Sequence, residues 1–183
     1  MDSWEEKFDE VVEFRQSLTS ETDRGCALMA AAYLDSEIGK LLDKYFVSNN
    51  KVKEEILGNS RPLGTFSAKI DIAYLLGFIG PKAHRDLHLI RKIRNDFGHV
   101  PTPMDFNDQS MAARCREFYH DAFDNSIPPR QKFTRVVLGV LAVLHSELLR
   151  ANTIEESKDL NIDDETKERH RKLLKILEGN ADA

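Results

Sequence analysis

Arg94, Asn95 and His99 bring a guanidinium, an amide and an imidazole together within six residues, at the end of the stretch IRKIRNDFGH, Ile90 to His99. That set can hold and cleave a phosphodiester. The arginine would stabilise the charge on a pentavalent phosphorus, and the histidine would serve as general base or acid. At roughly 100° per residue, Leu87, Ile90, Ile93 and Phe97 share one side of a helix, and Arg94 falls inside that apolar arc. A buried guanidinium needs carboxylates or carbonyls around it. Asp35, Glu37 and Asp71 are the candidate partners. Positions five apart lie roughly 140° apart on a continuous helix. Gly98 is therefore expected to break the helix and let His99 turn back toward Arg94. A buried ion pair tying helices together is the alternative, and the spacing leaves both readings open.

The same segment carries a basic run. Lys82, Arg85, Arg91, Lys92 and Arg94 stand against only Asp86 up to Ile93. Most of these read as a solvated face, with cations favoured near a helix C-terminus. His84 and His88 are one turn apart, a spacing that two metal ligands can use. No carboxylate or third histidine stands at an evident spacing from them, so we expect no metal and no other cofactor. Cys26 and Cys115 have no metal-like spacing and no CxxC neighbour. They read as reduced, mostly buried thiols of a cytoplasmic protein.

These residues must be placed by helices. Trp4, Phe8, Val11, Val12 and Leu18 mark a first amphipathic helix. A second runs from about Asp23 to Phe46, capped by Ser20 or Thr22. A short third covers Lys51 to Leu57, followed by the turn-rich GNSRPLG. The fourth is expected over Ser67 to Ile79 and ends at Gly80-Pro81. The fifth is expected over Lys82 to Phe97, and the sixth from Asn107 or Ser110 to Phe123. After Pro128-Pro129 a long seventh helix reaches Ala151. It is apolar almost all round, which places it centrally. The sequence thus predicts an all-α fold, a single bundle of about seven to eight helices over 1–151. The charged stretch 152–183 carries a short apolar stripe at Leu173, Leu174, Ile176 and Leu177. It reads as an appended amphipathic helix, docked or partner-binding, with a frayed end.

Composition narrows the function. The 183 residues carry a net charge of −5, which lowers the expectation of autonomous DNA binding. No DNA-binding motif or phosphate loop is present. The longest apolar run, VVLGVLAVL, is too short to span a membrane, and the acidic start MDSWEEKFDE reads against a secretory signal.

RNDFGH, Arg94 to His99, resembles the short motif of the HEPN superfamily, small helical bundles that include metal-independent RNases. That resemblance implies catalysis by Arg94, Asn95 and His99, with RNA as the substrate, and a site formed where two subunits of a homodimer meet. Three longer blocks resemble the bacterial mannitol operon repressor family. They are DRGCALMAAAYLDSEIGKLL (Asp23 to Leu42), RPLGTFSAKIDIAYLLGFI (Arg61 to Ile79) and DLHLIRKIRNDFGH (Asp86 to His99). Family members usually have alanine at the position of Gly98. This second resemblance implies a repressor-like transcriptional regulator without its own DNA-binding motif, acting through a protein partner. Within these blocks Asp23, Arg24, Asp35, Asp71, Arg91 and Arg94 are the candidate polar cluster, centred on the crevice between the second and fifth helices. Arg61 and Lys69 are candidate anion contacts. The repressor-like regulator is the favoured reading and the RNase the alternative.

Overall fold

Local signals set the helix boundaries of the protein, seen here as a computed structural model describing residues 4–99, 101–119, 126–158 and 162–179. Among these residues there are eight helices and no strand. They are α1 (Trp4–Ser20), α2 (Asp23–Tyr45), α3 (Asn50–Leu57), α4 (Phe66–Leu75), α5 (Pro81–His99), α6 (Gln109–Arg116), α7 (Pro129–Arg150) and α8 (Asp164–Gly179). Phe123, the Trp4 side chain and the frayed C-terminus lie outside the described residues.

Thr22 caps α2 by accepting from the Gly25 N–H at 3.0 Å, and Thr65 caps α4 by accepting from the Ala68 N–H at 3.2 Å. Three boundaries differ from expectation. α6 ends at Arg116, seven residues before the expected Phe123, and the Glu117 N–H closes it by donating to Arg114 O. α4 stops at Leu75, four residues early. Gly77 adopts φ +79°, its N–H donates to Tyr74 O, and the Phe78 N–H donates to Ala73 O. This is a Schellman stop that uses glycine's freedom at positive φ. α5 instead runs through Gly98 to His99. One helical glycine costs only about 1 kcal/mol, and a Cβ there would touch only the Leu28 side chain, at 3.7 Å. Gly98 therefore does not break the helix.

α2 and α7 form the centre. α2 packs against α1, α3, α4, α5 and α7, and α7 packs against α1, α2, α5 and α6. Cys26, Ala27, Ala30, Ala31, Leu34, Ile38, Leu41 and Leu42 bury one face of α2. The small residues let neighbouring helices approach, as the run GCALMAAA suggests. α7 contributes Phe133, Val136, Val137, Val140, Leu141 and Leu144. α5 closes the core with Leu87, Ile90, Ile93 and Phe97, the stripe expected from its spacing.

The chain leaves the bundle after Ala151. The Ile154 N–H still donates to Tyr45 O, and Thr153 Oγ1 donates to Lys44 O. α8 then packs against no other helix among the described residues. Leu173, Leu174, Ile176 and Leu177 are all exposed. No described helix is long and apolar enough to cross a membrane.

Candidate functional site

The C-terminal end of α5 and the start of α2 share one edge of the bundle, where Gly98 faces Leu28. Arg94 is half-buried there, beside the buried arc rather than inside it, and His99 is exposed. Arg94 makes no hydrogen bond or ion pair among the described residues. A buried Arg94 ion pair is therefore not what the structure shows. The reason is that each expected carboxylate has another base. Asp35 pairs with Lys69 at 3.0 Å. Glu37 accepts from His145 and Lys40. Asp71 bonds His84 and His88. Lys69 is thus an ion-pair partner rather than a free anion contact, while Arg61 is exposed.

The six candidate polar residues consequently do not meet at one centre. Asp23 accepts from the Phe106 N–H at 2.7 Å and from Arg130 Nη1 at 2.7 Å. Arg130 also donates to the carbonyls of Leu18 and Glu21, so it joins the start of α7 to the α1–α2 turn. Arg24 donates to Thr102 O at 3.2 Å. Both residues therefore clamp the loop that follows α5. Arg91 lines a groove with His84, Arg85, His88, Lys92 and Glu117.

Within one chain, the helix keeps His99 roughly 140° from Arg94, because α5 is continuous to His99. The two side chains do not converge by the turn expected at Gly98. Asn95 is half-buried on the same helix. Because Arg94 has no ionic partner among the described residues, Arg94→Ala is expected to change the unfolding free energy by less than about 1 kcal/mol. Chemical denaturation checks this. A loss of several kcal/mol would show that the side chain is paired after all.

Two polar features were not visible in the sequence. Glu37 and His145 meet between α2 and α7, both essentially inaccessible, at 3.2 Å. Burial pushes the Glu37 carboxyl up, but the hydrogen bonds from His145 and Lys40 outweigh it and hold it below its ordinary value. Asp71 reaches His84 and His88 from the neighbouring helix, supplying the carboxylate that local spacing did not reveal. The cysteines fit expectation. Both are buried free thiols, and burial pushes Cys26 up to about 11 and Cys115 up to about 12.

An all-helical bundle with two central helices, and a terminal helix that packs against no other helix among the described residues, is the class that this geometry defines. No protein-family model and no curated protein matches the chain. In fold it is similar to a chain in the X-ray structure of the MtlR–HPr complex from Escherichia coli, with a TM-score of 0.61 and 17% identity. The likeness covers 75% of this chain and 98% of that one. The protein thus has an MtlR-like fold.

Proposed function

We propose that this chain is a repressor-like regulatory module of the mannitol operon repressor type, which acts by binding a protein partner rather than by reading DNA. The observation that carries this reading is the fold likeness over 98% of a chain solved in the MtlR–HPr complex. Two further features support it. The net charge of −5 disfavours autonomous DNA binding. The apolar stripe of α8 is exposed and packs against no other helix among the described residues, as expected of a partner-docking helix. In this proposal 1–151 is the scaffold, 152–183 is an appended docking element, and the unit is a homodimer.

The test is a calorimetric titration of HPr into the full chain. Saturable binding with a Kd of about 10 μM or tighter is expected, weakened by Leu174→Asp and Leu177→Asp without loss of bundle stability. Absence of heat with the folded chain at about tenfold higher concentrations would remove the basis of the reading.

The alternative, a metal-independent RNase using Arg94, Asn95 and His99, is favoured by one observation. Arg94 has no ionic partner among the described residues and His99 is exposed. Their separation on a continuous helix means that such a site would need groups from a second subunit to complete it.

A further inference from the structure

Asp71 on α4 and His84 and His88 on α5 form a cluster that the partner-binding reading does not use. α4 and α5 pack against each other across the Gly80-Pro81 turn. Asp71 Oδ1 lies 2.9 Å from His84 Nε2 and 2.9 Å from His88 Nε2. The two nitrogens are 3.3 Å apart. Nitrogen or oxygen ligands held about 2.0–2.1 Å from one ion, at octahedral or tetrahedral angles, stand about 2.8–3.4 Å apart. The observed triangle has that size.

Hydrogen bonding alone asks for less. The carboxylate offers two oxygens, yet both imidazoles converge on the same one. The rings are nearly perpendicular, at 81°, so their Nε2 atoms approach the shared point from different directions. Tyr74 lies against the His84 ring, with centroids 4.6 Å apart, and limits its rotation. His84 and His88 are each about a quarter exposed, at 27% and 22%, and Asp71 is half exposed, at 52%. Water can therefore fill the remaining positions around an ion.

We propose that Asp71, His84 and His88 bind one divalent transition-metal ion, of the class that accepts two imidazoles and a carboxylate, with zinc the first to test. The helical i, i+4 spacing supplies the two histidines, and the α4–α5 packing supplies the third ligand. Arg85, Arg91 and Lys92 line the same groove as the histidines. Their charge opposes a cation, so the affinity belongs in the micromolar range rather than the nanomolar. It also favours an anion or a water as the additional ligand.

The experiment is calorimetric titration of zinc chloride into metal-free full-length protein. One ion per chain is expected. Asp71→Asn, His84→Gln and His88→Gln should each weaken binding by at least about tenfold, while His170→Gln on the exposed α8 should not. Circular dichroism checks that each variant is folded. Cobalt loading gives a second readout: visible bands without thiolate charge transfer support a nitrogen–oxygen ligand set. No binding, binding unchanged in all three ligand variants, or a thiolate band would overturn the proposal.

Discussion

His145→Ala is expected to destabilise the fold by about 3 kcal/mol, a drop in Tm of roughly 6–12 °C for a chain of this size. His145 donates to Glu37 at 3.2 Å between the two central helices, where neither side chain meets solvent. Removing the imidazole leaves the carboxylate with only Lys40, whose side chain is mostly solvated, and opens a void beside it. Replacing the pair together is different. Glu37→Leu with His145→Leu removes both polar groups and should be near neutral. A double-mutant cycle by chemical denaturation measures the coupling. If His145→Ala costs under about 1 kcal/mol, the pair does not hold α2 to α7.

The same pair gives a pH dependence with a definite sign. The folded-state carboxyl of Glu37 lies below its ordinary value of 4.5, against burial and because of the hydrogen bonds from His145 and Lys40. A depressed acid contributes stability that is complete above the unfolded value. That contribution is lost as pH falls below about 4.5 and through the folded value. In His145→Ala this acid-sensitive component should shrink.

Phe106→Ala is expected to cost about 3–5 kcal/mol. Phe106 is wholly buried although it belongs to the loop after α5. Its ring centroid lies 5.0 Å from those of both Phe97 and Phe133, so it fills the gap between α5 and α7. Its N–H donates to Asp23, which fixes the loop to the start of α2. Phe106→Leu should recover most of the loss, because volume rather than aromaticity dominates such sites. Denaturation midpoints that fall with an unchanged m-value would assign the effect to stability alone. Limited proteolysis should show the loop opening in the alanine variant. A cost below about 1 kcal/mol would mean that the loop is not part of the core.

The core was readable because it repeats locally. Leu87, Ile90, Ile93 and Phe97 announced the buried face of α5, and Val136, Val137, Val140 and Leu141 the central place of α7. Thr22 was readable as one of two candidate caps of α2, because a cap depends on the residues next to it. The end of α4 was not, since Gly80-Pro81 looked the stronger stop and the left-handed turn at Gly77 acts first. The end of α5 was not readable either, because a glycine weakens a helix without obliging it to end. The polar partnerships were out of reach of local spacing. Asp23 and Arg130 are 107 residues apart, and Glu37 and His145 are 108 apart. Asp71 meets the histidines only because α4 lies along α5. Helix packing gives Asp35, Glu37 and Asp71 each a base other than Arg94.

A chain that works by binding a protein partner should not cut RNA. The most direct test is incubation of the purified protein with a mixed single-stranded RNA pool in EDTA, beside folded Arg94→Ala and His99→Ala variants. No cleavage is expected from any of the three. Cleavage by the parent that disappears in both variants would contradict it and make Arg94 and His99 the residues of a metal-independent RNase.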